Sequence, residues 1–290
     1  MRLTNRLNLP KSIEAAVRKD PYTRGDANLS VTSMIAPARK RILEIRHGDE
    51  LTEDVADRIW SLMGQIAHGI LERADDEAWC EERLYITRHG WRISGQFDRV
   101  LLEGDGLCQD YKLSSTYSIK DGVKSEWEAQ ANLYRLMLVE HGYRVERLQI
   151  VVVLRDWQKS KAKHDANYPQ APVVVMDVAL WPAEKTEAYI VERLTAHGKA
   201  QHVLPECTPE ERWERPAKWA LRKDGNKRAT SLHDTEAEAV AAQAAAKKPS
   251  EMLVEHRPGE SIRCADYCSA APCCSQWAEL SRVTRVDFSA

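Results

Sequence analysis

A chain of 290 residues with 43% hydrophobic and 30% charged side chains has room for one large or two small domains and an ordinary globular composition. A net charge of −2 excludes a globally basic protein that coats nucleic acid without selectivity, but leaves room for a local basic groove beside a metal site. No apolar run reaches bilayer length, and "MRLTNRLNLPKSIEAAV" lacks the apolar core and cleavage site of a secretory signal, so a cytoplasmic protein is expected.

The first fifty residues read as a helical or irregular entry, with a short helix predicted after Thr32. "LTEDVADRIWSLMGQIAHGILERA" predicts an amphipathic helix, because Val55, Ile59, Leu62, Met63, Ile66, Ile70 and Leu71 recur at helical spacing. The period then drops to two. "EERLYITRHGWRISGQFDRVLLEGDGLCQDYKLSS" predicts three antiparallel strands, turned near His89–Gly90 and at "EGDG".

"SEWEAQANLYRLMLVEHGY" predicts a helix, opened by a capping box of Ser125 and Glu128 and stopped at Gly142. "RLQIVVVLRDW" predicts a buried strand and "APVVVMDVALW" another. "PAEKTEAYIVERLTAHGKA" predicts a helix with Pro182 in its first turn. After Cys207 the character changes. A hairpin turned at Asp224–Gly225–Asn226 precedes an Ala-rich helix capped by Asp234. The expected fold is mixed α/β, with a core over 1–205 and a hairpin-helix module plus cysteine segment over 206–290. There is no GxxxxGK[ST] phosphate loop, so no NTP motor is expected by that signature.

Asp98, Asp110 and Lys112 stand out among strand-forming residues. Side chains two apart on a strand share a face, so Asp110 and Lys112 point the same way, with Cys108 packed on that face. A loop centred on Gly104 sets Asp98 opposite Asp110 on the neighbouring strand. Two facing carboxylates repel unless a cation lies between them, and a hard divalent ion such as Mg²⁺ or Mn²⁺ takes oxygen ligands. The main-chain carbonyl of Tyr111 is a further oxygen donor there. An exposed salt-bridge ladder is the competing explanation, and a DxK tripeptide alone would favour it.

The chain order changes that balance. A helix with GxxxH (Gly64, His68) precedes a strand with GxxD (Gly95, Asp98). A strand with DxK (Asp110, Lys112) and a helix with QxxxY (Gln130, Tyr134) follow. This order resembles the RecB-type branch of the PD-(D/E)xK nuclease superfamily, over roughly residues 32–194. The resemblance implies a restriction-endonuclease-like core: a central mixed β-sheet flanked by helices. It implies His68, Asp98 and Asp110 as metal ligands, Lys112 as the catalytic lysine assisting the attacking water, and Gln130 and Tyr134 as the supporting pair. Many members add a first-strand glutamate; Glu81 and Glu82 point to opposite faces, and Glu81 is favoured.

Four cysteines, Cys264, Cys268, Cys273 and Cys274, lie within eleven residues. In an intracellular chain that density reads as thiolate ligation of a metal, Zn²⁺ or an iron–sulfur cluster. Some RecB-type nucleases close a 4Fe–4S cluster with three C-terminal cysteines and one cysteine before the core. Here the early segment reads "SMIAPARKRIL" and has none, so Cys207 becomes the expected fourth ligand with Cys264, Cys268 and Cys274; Cys273 is the alternative to Cys274. Either metal would staple the C-terminal segment to the core.

The implied activity is hydrolysis of DNA phosphodiesters by a metal-dependent nuclease. Stand-alone enzymes of this type in phages and mobile elements are commonly exonucleases in recombination or replication. They act on linear ends or single strands, often beside a single-strand-annealing protein. A catalytically inactive DNA-binding protein and a restriction-type endonuclease are the alternatives on the same core.

Overall fold

In the computed structural model, which describes residues 1–19, 23–74 and 78–286, the chain divides into two units. One holds residues 1–41 and 52–204, the other residues 42–51 and 205–290. Together they make a mixed α/β protein. No helix among the described residues is long and apolar enough to cross a membrane.

The first unit opens with β1 (Arg2–Thr4), α1 (Lys11–Arg18) and β2 (Leu29–Ser30). The next helix starts before Thr32, because the Ser30 hydroxyl accepts from the Ser33 N–H at 3.1 Å and caps α2 (Val31–Ile35). Pro37 keeps Ala36 extended, at ψ 154°, so α2 ends there and α3 (Ala38–Arg46) follows separately.

β3 (Thr52–Asp54) runs parallel to β1. It takes the first residues of the predicted amphipathic helix, and a 3₁₀ turn takes Val55–Arg58. Only α4 (Ile59–Glu72) is α-helical, and its apolar stripe is not a core face: Met63, Ile66 and Ile70 are exposed. The side turned to the sheet carries His68 instead, whose Nε2 lies 3.3 Å from the Tyr111 carbonyl oxygen.

The predicted three strands are four, preceded by β4 (Trp79–Cys80). β5 (Arg83–Arg88) and β6 (Trp91–Gln96) form a hairpin and join β2 in a three-stranded sheet. β7 (Arg99–Leu101) and β8 (Leu107–Ser114) belong to another sheet. The break falls at Phe97–Asp98. There the Asp98 carboxylate takes the Tyr111 N–H at 2.6 Å, and buried Phe97 plugs the bend.

α5 (Ser125–Glu140) lacks the predicted capping box. Lys124 occupies the cap, and the Glu128 carboxylate accepts instead from the Trp181 indole N–H. At the other end Gly142, at φ +87°, donates to the Val139 carbonyl at 3.0 Å and Tyr143 donates to Leu138 at 3.0 Å, which closes the helix.

β9 (Arg147–Leu154) then lies parallel to β8, with α5 as the crossover. After α6 (Lys159–His164), β10 (Val173–Val178) pairs antiparallel with β9. The five-stranded mixed sheet has the order β10-β9-β8-β7-β4. α7 (Ala183–Lys199) follows Pro182. Phe97, Val100, Leu133, Met137, Leu138, Leu148, Ile150, Val152 and Ile190 make the core. Leu148, Ile150, Val152 and Leu154 bury one face of β9, while Gln149, Val151 and Val153 on the other face are half-buried, so the strand read from its apolar run as buried is fully buried on one face only.

In the second unit, β11 (Glu214–Arg215) precedes the hairpin of β12 (Lys218–Lys223) and β13 (Ala229–His233). α8 (Glu236–Ala244) is capped by Thr235, whose hydroxyl accepts from the Glu238 N–H at 3.3 Å, so the cap is one residue beyond Asp234. The predicted hairpin gains a third strand, β14 (Met252–Arg257), antiparallel to β12. β15 (Glu260–Ser261) pairs with β11, and α9 (Ser275–Val286) ends the described chain.

Candidate metal centre and cysteine cluster

The β7–β8 register pairs Arg99 with Gln109 and Leu101 with Leu107 about Gly104. Continued by one residue, it sets Asp98 across from Asp110. Both carboxylates are buried, Asp110 at 2% and Asp98 at 8% exposure. Burial, followed by the charge of Asp110, pushes the Asp98 carboxyl up to about 7.

α4 brings His68 to the same place. Its Nδ1 lies 3.1 Å from Glu81 Oε1 and 3.5 Å from Asp98 Oδ1. Its Nε2 faces the Tyr111 carbonyl. A carboxylate and a carbonyl oxygen only accept, so both ring nitrogens carry protons and the ring is an imidazolium. The Glu81 hydrogen bond accordingly raises His68 to about 9. Among the described residues, His68, Glu81 and Asp98 are the group whose ligand atoms all lie within 4.8 Å of one another.

Glu81, at φ +51°, is the glutamate that turns inward. Gln96, on β6, donates to Glu81 Oε2 at 2.9 Å and itself accepts from the Arg83 guanidinium at 2.5 Å. Sequence reasoning passed over Gln96; its signal was its place two residues before Asp98 in "GQFD".

On the other side, Lys112 Nζ is 2.7 Å from Asp110 Oδ2 and donates to Gln130 Oε1 at 2.9 Å. Gln130 Nε2 donates to the Tyr134 hydroxyl at 2.8 Å. Tyr134 is buried, which pushes its phenol well above its usual range. Gln130 and Tyr134, four apart on α5, thus hold the ammonium against Asp110. Gly95 lets β6 approach that helix, since a Cβ there would sit 2.6 Å from Met137 Sδ and 3.1 Å from the Tyr134 ring. Cys108 is fully buried beside Asp110, and its thiol is pushed far up.

The site fits a divalent cation. Neither Asp110 oxygen has a well-aligned hydrogen-bond donor among the described residues, although Lys112 pairs with one of them as an ion. Such an arrangement is costly without a cation and favourable with one.

In the second unit, burial and then Glu211 push Cys207 up to about 12, with further contributions from Cys274, Cys264 and Cys268. These four thiols therefore act on one another. Cys273 is also raised, by burial and then by Cys274 and Cys268, while its thiol donates to the Ala270 carbonyl at 3.2 Å. Buried Gln276 fixes Cys207: its Oε1 accepts the Cys207 N–H at 2.9 Å and its Nε2 donates to the Cys207 carbonyl at 3.0 Å. Residues 42–51 belong here through Glu44, which accepts from the Ser269 hydroxyl. Four thiols are a donor set for zinc or an iron–sulfur cluster.

A protein family described as an uncharacterized protein conserved in bacteria (DUF2188) matches residues 201–266. That stretch includes Cys207 and Cys264 and stops short of Cys268. No curated protein matches the chain. Among solved structures, the crystal structure of SSO0001 is similar at 16% identity and a TM-score of 0.48, over 69% of this chain and 87% of that one.

Proposed function

We propose that this protein is a Mg²⁺- or Mn²⁺-dependent deoxyribonuclease of the RecB type, on a restriction-endonuclease-like core, working in the cytoplasm as an exonuclease on linear DNA. The observation that carries this reading is the meeting of Asp98, Asp110, Glu81 and His68 with Lys112 at one point. A binding protein has no need of a buried acid pair with an ammonium held against it.

A divalent ion at Asp98 and Asp110 would activate water and neutralise charge on the scissile phosphate. The protein's own groups do the rest. The paired carboxylates supply the negative charge that draws the ion in. Lys112 places a fixed positive charge where the phosphate gains negative charge, and Gln130 stops it from swinging away. His68, whose Nδ1 lies 3.5 Å from Asp98 Oδ1, would be a further ligand in its neutral form, so holding the ion would require its ring to give up a proton.

Purified protein incubated with linear and closed circular DNA tests the reading. Degradation of the linear form alone, dependent on Mg²⁺ or Mn²⁺ and blocked by chelator, is expected. Asp110→Asn and Lys112→Ala should each lower the rate by at least about 100-fold. Absence of cleavage under every metal condition refutes the nuclease reading, and cleavage of the circle refutes the exonuclease.

A further inference from the structure

Away from the acid pair, the first unit has a cavity of about 570 Å³ lined by Arg24, Asp26, Asn28, Arg41 and Trp91 among others. Arg41 extends from α3 and Arg24 from the loop before β2. Burial, and then the positive charge of Arg24, lowers the Arg41 pKa. Arg41 Nη1 is buried with no hydrogen-bond partner among the described residues. Two guanidinium groups that line one cavity and repel each other favour an anion between them. Asp26, which also lines the cavity, is paired through Oδ2 with Arg92 at 2.9 Å.

The loop carrying Arg24 is held rigidly. The Ser94 hydroxyl donates to the Arg24 carbonyl at 3.0 Å, Asn28 N–H donates to the Arg92 carbonyl at 2.8 Å, and Arg92 N–H donates to Asn28 Oδ1 at 2.7 Å. Gly25 sits at φ +64°, and any side chain there would collide with the Tyr85 hydroxyl. Trp91 adds an aromatic wall beside the two cations.

We propose that this cavity binds a phosphate group between Arg24 and Arg41. Two planar forks lining one concave site match a tetrahedral oxyanion. The phosphate could be free or part of a nucleotide, whose base would lie against Trp91.

Calorimetric titration with inorganic phosphate, in chelator so that the carboxylate site holds no divalent ion, tests this independently of any nuclease activity. Binding by the unaltered protein is expected, weakened at least about tenfold in Arg41→Gln, the scale of one charge-assisted hydrogen bond. Arg24→Gln should weaken it similarly with an unchanged melting temperature, since Arg24 is exposed. Thymidine monophosphate binding more tightly than both phosphate and thymidine would mark the natural ligand as a nucleotide; equal binding of phosphate would mark a free anion. No phosphate binding, or equal affinity in the unaltered protein and Arg24→Gln, overturns the proposal.

Discussion

Two residues at the acid cluster hold protons that they would not hold in water. Asp98 is raised to about 7 by burial and by Asp110, and His68 to about 9 by its bond to Glu81. Unfolded, they would titrate near 3.9 and 6.5 respectively. Between those values the folded chain binds more protons than the unfolded one, so stability falls as pH rises. Asp98 contributes fully below about pH 4 and has lost its contribution above about 7; His68 contributes fully below about 6.5 and loses its share as pH passes about 9. Metal-free protein should therefore melt at progressively lower temperature from pH 5 to pH 9. Mn²⁺ should restore stability most at the alkaline end, because it displaces protons that are already leaving. Thermal melts across that range, in chelator and in Mn²⁺, check this. Asp98→Asn should flatten the metal-free slope and abolish the Mn²⁺ shift; a flat profile in the unaltered chain would refute the proton account.

At the scale of elements, the site depends on how closely strands approach their neighbours. The β7–β8 hairpin packs its Gly106 against the Arg144 backbone, where a Cβ would collide with the Arg144 carbonyl oxygen. Gly106 is also at φ +69°, and the Glu146 and Arg147 N–H groups donate to its carbonyl at 3.2 and 3.1 Å. Gly106→Ala should cost about 2 kcal/mol or more, from left-handed strain of about 1–2 kcal/mol plus overpacking. Urea unfolding measures it. Gly104→Ala, at φ +63° with open space around it, should cost only the strain and serves as the control. Much of this element layout was legible in sequence, because a period of two marks β8, an apolar run marks β9 and Gly104 fixes the register. The strand break at Phe97–Asp98 was not, because it arises from one long-range bond between Asp98 and the Tyr111 N–H. The exposure of Met63, Ile66 and Ile70 was equally hidden: helical spacing shows which residues share a face, not which face meets the sheet.

Across the whole molecule, the acid cluster lies within the first unit and the thiols within the second. The acid pair could be read from local spacing, whereas the cysteine set needed a contact that spacing alone does not supply. Cys207 and Cys264 meet because β11 and β15 zip the two ends of the intervening module together, pairing Glu214 with Ser261 and Arg215 with Glu260. Arg263 reinforces this, its N–H donating to the Arg212 carbonyl at 3.0 Å and its guanidinium to the Glu211 carbonyl at 3.2 Å. If the four thiols hold an iron–sulfur cluster, anaerobically purified protein is brown, with a visible absorbance band and bound iron. Cys207→Ser should lose both colour and iron, while Cys273→Ser, whose thiol is turned to the Ala270 carbonyl, should keep them. Colourless protein with one zinc per chain would identify zinc instead, and full retention of metal in Cys207→Ser would remove that residue from the ligand set.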